Sequence, residues 1–147
     1  MATILLPPDF KEFLRLLNSR DVEYLLIGGY AVNYYGYPRA TADLDIWIAI
    51  DPLNTQKMAA ALSEFGFAKA TVSLLQEPGK IIRMGVPPIR IEVLTSVSGV
   101  DFSSSFRNRL IADIDGVSVN LISLADLKTN KKAAGRLKDL ADLEQLD

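Results

Sequence analysis

Residues 25–48 read LLIGGYAVNYYGYPRATADLDIWI, and how that stretch is cut decides the fold. A short apolar run, Leu25 to Ile27, meets Gly28-Gly29 and then a segment with helical character, Tyr30 to Tyr35, which Gly36 and Pro38 bring to a stop. Asp43-Leu44-Asp45 then heads a second apolar run from Ile46 to Ile50. Side chains of a strand alternate faces, so Asp43 and Asp45 share one side while Leu44, Ile46 and Ile48 enter a core. Two carboxylates held side by side repel unless a cation lies between them, which suits a hard divalent ion with oxygen ligands. Glycines between strand and helix let backbone approach a ligand closely, and the N–H groups of a helix start favour an anion such as phosphate. The reading is therefore strand, glycine turn, short helix, carboxylate-bearing strand.

Outward from that stretch, composition sets the bounds. The chain has 147 residues, 49% of them apolar, with a net charge of −2. That fits a single α/β domain over 1–147 with a real core. No strong basic bias demands nucleic acid, so a DNA- or RNA-binding module is disfavoured. There is no cysteine and no histidine. Thiol catalysis, disulfides, imidazole acid–base chemistry and His- or Cys-ligated zinc are excluded, leaving carboxylate, Lys, Arg, Tyr and hydroxyl chemistry. The N-terminal run MATILLPPDF is too short and too early in proline for a signal peptide, and no run approaches membrane-spanning length. The expected setting is cytoplasmic, with no membrane partner.

Along the chain, Phe10, Phe13, Leu14 and Leu17 fall at helical spacing with Pro8 in the first turn, and Val22–Ile27 reads as the first strand. Tyr30, Tyr34, Tyr35 and Tyr37 are core or surface aromatics, or one of them lines a base pocket. Arg39 and Thr41 precede the carboxylates; Arg39 pairs with Asp43 or reaches a substrate phosphate. Asp51-Pro52 caps a helix over 52–65 with Met58, Ala59, Leu62 and Phe65 inside and Gly66 as the stop. Residues 71–76 suit a short helix, and Lys80–Val86 and Ile89–Thr95 suit strands joined around Pro87-Pro88. Glu92 lies between Ile91 and Val93, where an unpartnered carboxylate is costly. It is either paired with Arg83 or Arg90 across the hairpin, or functional. Residues 98–109 read as a polar loop with a short helix, and Asp115-Gly116 marks a tight hairpin turn. Ser123 caps a further helix with Asp126 reaching back to complete a capping box. That helix breaks near Gly135 and resumes to Leu146.

Gly28-Gly29, Asp43-x-Asp45 and Ile91-Glu92-Val93, in that order, resemble the nucleotidyltransferase superfamily of DNA polymerase beta. More narrowly, GGYAVNYYGYPRATADLDIWI resembles the small stand-alone bacterial members related to AbiE-type toxins. The tail is similar too: Lys131 and Gly135-Arg136-Leu137-Lys138-Asp139-Leu140 match the family's Asn-Lys…Gly-Arg…Asp-Leu ending. The resemblance implies a nucleotidyltransferase fold: a central mixed sheet with carboxylates on adjacent strands, helices packed on it, and C-terminal helices. It implies Mg²⁺ (or Mn²⁺) held by Asp43, Asp45 and Glu92, the three catalytic carboxylates, with Glu92 preferred as ligand over base. It also implies a nucleoside triphosphate on Gly28 and Gly29 with Arg39, Thr41, Lys131 and Arg136 around it, Lys131 neutralising the phosphates. Nucleoside monophosphate would pass to a hydroxyl acceptor with release of pyrophosphate. The acceptor stays open between tRNA ends, a protein hydroxyl and a small molecule, and so minimal a chain leaves room for a partner chain or homo-oligomer. Because fold does not fix function, the competing expectation is a non-catalytic interaction module, for example one half of a toxin–antitoxin pair. For Lys131, the alternative is a solvated basic face paired with Asp139, Asp142 and Glu144.

Overall fold

The structure, a computed structural model, describes residues 4–36, 41–86 and 89–146. Helix α1 (Pro8–Ser19) begins on its proline and buries Phe10, Phe13, Leu14 and Leu17. It closes on Asp21 at φ 59, with the N–H groups of Asp21 and Val22 returning to the carbonyls of Asn18 and Leu17. That paired closure satisfies the helix's last carbonyls. It also takes the Val22 N–H away from any ladder, so strand β1 is Tyr24–Ile27, shorter than its hydropathy suggests. Helix α2 (Gly28–Tyr35) absorbs both glycines instead of starting after them.

Strand β2 (Asp43–Ile48) and helix α3 (Pro52–Phe65) come next in the chain, the latter capped by the Asp51 carboxylate accepting from the Asn54 N–H at 3.1 Å. Met58 and Leu62 of α3 are buried as expected, but Ala61 joins them while Ala59 and Phe65 are only partly covered. Phe65 instead meets Phe13 of α1 edge-on at 5.0 Å. Thr71 caps the short α4 (Val72–Leu75), and β3 (Ile81–Val86) and β4 (Ile89–Leu94) form the expected hairpin, whose Pro87-Pro88 link lies outside the described residues. After α5 (Phe102–Arg107), β5 (Leu110–Ile114) and β6 (Val117–Leu121) are joined by Asp115 and Gly116 at φ 52 and 83, the paired positive angles of a tight two-residue hairpin turn.

The chain ends in α6 (Leu124–Ala134) and α7 (Leu137–Glu144), separated at Gly135. At the start of α6 the expected capping box is only half made. Ser123 Oγ accepts from the Asp126 N–H at 3.2 Å, but Asp126 Oδ2 is buried without a hydrogen-bond partner among the described residues. An aspartate is one methylene shorter than the glutamate that normally makes the return bond.

The strands form one six-stranded mixed sheet in the order β3-β4-β2-β1-β6-β5. The β2–β4 and β1–β6 pairs are parallel; β3–β4, β1–β2 and β5–β6 are antiparallel. The parallel β2–β4 register matters most, because it sets Asp43 beside Arg90 and Asp45 beside Glu92. Leu44, Ile46, Ile91 and Val93 point to the other face and are buried in the core. Among the described residues no helix is long and apolar enough to cross a membrane.

Candidate active site

The sheet positions chemistry in rows. On the face opposite the core, one row crosses the strands as Arg83, Glu92 and Asp45, and the next as Gly85, Arg90 and Asp43. Strand alternation forces this, since each residue is two removed from its neighbour in the adjacent row. Over these rows opens a cavity of about 550 Å³. Gly28, Gly29, Asp43, Asp45 and Glu92 line it on the sheet side, and Lys131, Arg136 and Lys138 line it from the C-terminal helices.

Gly28 fits only as glycine. Its φ is +70, and a Cβ added there would lie 2.0 Å from Asp45 Oδ2 and 2.8 Å from Asp45 Cγ. The first residue of α2 is thus packed directly against the second carboxylate of the Asp-x-Asp pair. Backbone N–H groups at a helix start and an anionic oxygen-donor pair share one corner of the cavity.

The carboxylates are not equivalent. Arg90 donates from Nη2 to Asp43 Oδ2 at 2.9 Å, and this bond holds the Asp43 carboxyl below its ordinary pKa. Glu92 accepts from Arg83 Nε at 2.9 Å and lies 3.7 Å from Arg90 Nη2. Both salt bridges weighed for Glu92 from sequence are therefore formed. Asp45 has no such cationic partner among the described residues. Burial first, then the charges of Glu92 and Asp43, push its pKa up from 3.8 to about 6. The repulsion expected between Asp43 and Asp45 falls on Asp45 alone. Among the described residues no three acidic side chains converge as a ready-made metal cage, with Asp43 and Glu92 drawn onto guanidinium groups.

Lys131 lines the cavity and takes two of the three partners its alternative reading named, but not on a solvated face. Its ammonium is buried and bridges Asp139 at 3.2 Å and Asp142 at 3.0 Å, so it is not a solvated basic face. Those two carboxylates neutralise its charge. Arg136, largely exposed, closes on the same Asp139, with Nε at 2.7 Å and its own backbone N–H at 3.3 Å. Burial opposes ionisation of Asp139, but bonds from Arg136 and Lys131 outweigh it and lower the pKa.

Two residues outside the expected site set matter here: Arg90, as the partner of Asp43, and Lys138. Lys138 lines the cavity, is exposed, and makes no ion pair among the described residues, while its charge helps draw down the pKa of both Asp43 and Asp45. Its signal was present in the sequence as a cation two residues beyond Arg136. Thr41 is half-buried just ahead of β2 and does not line the cavity, and Arg39 lies outside the described residues. Tyr30 is buried edge-on to Phe10 at 5.9 Å, and the Tyr35 hydroxyl donates to the Ile122 carbonyl at 2.7 Å, so these tyrosines serve the core. Tyr37 lies outside the described residues.

With the geometry in place, the fold is that of nucleotidyltransferases. The chain is similar to a nucleotidyltransferase candidate from Thermotoga maritima, at 16% identity over 96% of this chain and 94% of that one, with a TM-score of 0.62. It is similar to the antibiotic-resistance factor ANT(2'')-Ia, at 11% identity over 94% of this chain and 80% of that one, TM-score 0.60. A lincosamide antibiotic adenylyltransferase, LnuA, solved with lincomycin bound, aligns at 16% identity over 98% of both chains, TM-score 0.59. Such identities establish shared architecture and nothing finer. No protein-family model matches the sequence, and no curated protein does.

Proposed function

We propose that the protein is a metal-dependent nucleotidyltransferase. The observation that carries this reading is the packing of Gly28 against Asp45, which puts a helix start able to bind phosphate beside a half-buried carboxylate whose ionisation is opposed by its neighbours. The donor chemistry at that corner, carboxylate oxygen without nitrogen or sulfur, fits Mg²⁺ or Mn²⁺. Asp43 and Asp45 would hold the ion, with Glu92 within the same rows as a further donor. A bound ion would supply Lewis-acid stabilisation of charge on the transferring phosphoryl group.

The chain's own residues do the rest. The N–H groups at the start of α2 orient the phosphates, and Lys138, on the cavity wall and without an ion pair among the described residues, neutralises their charge in the role expected of Lys131. The acceptor oxygen forms a bond to the α-phosphorus as the bond to the pyrophosphate oxygen breaks, and the acceptor proton leaves to solvent or a carboxylate. The acceptor is a hydroxyl whose carrier the site geometry leaves open between a small molecule, a tRNA end and a protein side chain.

Titration calorimetry with the four nucleoside triphosphates, with and without Mg²⁺, tests this on the native chain, on Asp43→Asn/Asp45→Asn and on Lys138→Gln. Metal-dependent binding is expected, lost in the double variant; Lys138→Gln should weaken triphosphate binding while leaving nucleoside binding unchanged. Binding that ignores the metal, or survives loss of both carboxylates, refutes the proposal.

A further inference from the structure

Arg90 combines features that a structural salt bridge does not need. It is bonded to Asp43 at 2.9 Å and lies 3.7 Å from Glu92, so one guanidinium spans two of the three carboxylates. Its Nε–H is buried and has no hydrogen-bond partner among the described residues. Its register partner on β3 is Gly85, so no neighbouring side chain walls it in on that flank. The side chain is about 30% exposed and lies on the cavity wall. A cation with an unused donor, a short-range anchor and room beside it is built to change partners.

We infer that Arg90 is an internal counter-ion that competes with the divalent cation for Asp43 and, once displaced, takes a phosphate of the nucleotide. The inference rests on the nucleotidyl-transfer reading and deepens it by saying how the site couples its two ligands. A cation binding alone must break the Arg90–Asp43 bond and leave the guanidinium unpaired. A cation arriving with nucleotide gives Arg90 a phosphate, whose oxygens suit the planar fork and also reach the orphan Nε–H. The two ligands therefore bind with positive coupling, which is reciprocal by linkage. Arg83 cannot act this way, because it is more exposed and bonded to Glu92 alone.

The test uses Mn²⁺ alone as one probe and Mn²⁺ with a non-hydrolysable nucleoside triphosphate as the other. Arg90→Gln should bind Mn²⁺ alone roughly tenfold more tightly than the native chain, a change of about 1.4 kcal/mol, yet bind the Mn²⁺–nucleotide complex more weakly. Arg83→Gln should not show this opposed pair of effects. In the native chain the ¹⁵Nε–H resonance of Arg90, identified by its loss in Arg90→Lys, should shift when the Mg²⁺–nucleotide complex is added. Unchanged or weaker Mn²⁺ binding by Arg90→Gln, or an Arg90 resonance that ignores nucleotide, overturns the exchange while leaving the transferase reading intact. Failure of both native chain and variant to bind Mn²⁺ or nucleotide overturns both.

Discussion

Gly28→Ala is the substitution whose effect is tied most directly to the packing of the site. Two separable costs arise. The backbone angle of +70 lies in the left-handed region, where a Cβ costs about 1–2 kcal/mol. The new methyl would also stand 2.0 Å from Asp45 Oδ2 and 3.0 Å from Asp45 Cβ, so the carboxylate must rotate off its rotamer, at about 0.5–1.5 kcal/mol. The sum is roughly 1.5–3.5 kcal/mol, or a loss of roughly 5–10 °C in Tm for a chain of this size. Urea denaturation gives the assay, because Trp47 is the only tryptophan, is buried, and lies 5.0 Å from the Phe102 ring. Adding Asp45→Ala separates the costs: removing the carboxylate relieves the clash but not the backbone strain, so the double variant should recover roughly 0.5–1.5 kcal/mol of coupling. A neutral Gly28→Ala, or a double variant with strictly additive losses, would falsify the packing of helix start against carboxylate.

Three further outcomes are expected. Asp45 has its pKa raised from 3.8 to about 6, so the folded state binds its proton more tightly than the unfolded state. With chelator present, stability should be highest below pH 4 as far as Asp45 is concerned and fall by about 3 kcal/mol as pH rises through 6. Asp45→Asn should remove that fall and be more stable than the native chain at pH 8; equal or lower stability there refutes the strain. Lys131→Met leaves Asp139 and Asp142 buried with their shared cation gone, so a loss of roughly 3–5 kcal/mol is expected by urea denaturation, and a change under 1 kcal/mol would contradict the buried cluster. Asn54 ties the start of β1 to the end of β2, accepting from the Glu23 N–H and donating to the carbonyls of Glu23 and Ala49. Asn54→Ala should cost roughly 2–4 kcal/mol, and slower exchange of the Glu23 amide in that variant would be the wrong sign.

What was legible in the sequence was whatever local chemistry dictates. Asp-x-Asp at the head of a strand, Asp-Gly in a hairpin and glycine at a helix end each carry their geometry with them, and each is where its pattern puts it; Gly28-Gly29 marks the strand-to-helix junction but lies inside the helix. What was not legible depends on register between distant segments. Asp43 meets Arg90 across 47 positions of sequence, through a parallel pairing of β2 and β4 that no local window contains. Lys131 was read beside Asp139 and Asp142, and both are its partners; its burial was not legible, because it depends on how α7 packs after the chain turns at Gly135. The half-made box at Ser123 failed for a smaller reason, the reach of one side chain.

The burial of Lys131 changes how the C-terminal helices bear on the site. A buried ammonium held by Asp139 and Asp142 is poorly placed to meet phosphate, since leaving would strand two carboxylates away from water. Yet Asp139 also receives the guanidinium and backbone N–H of Arg136, which fixes the first turn of α7. Lys138 stands in that turn, on the cavity wall. The basic residues of the tail therefore divide the work: Lys131 and Arg136 anchor the helix start through one aspartate, and the anchored turn presents Lys138. A lysine that positions another loses stability first and phosphate affinity second, whereas a contact lysine loses affinity alone. Comparing Lys131→Met with Lys138→Gln by denaturation and by triphosphate titration separates the two roles, and equal stability in both variants would overturn the anchoring role of Lys131.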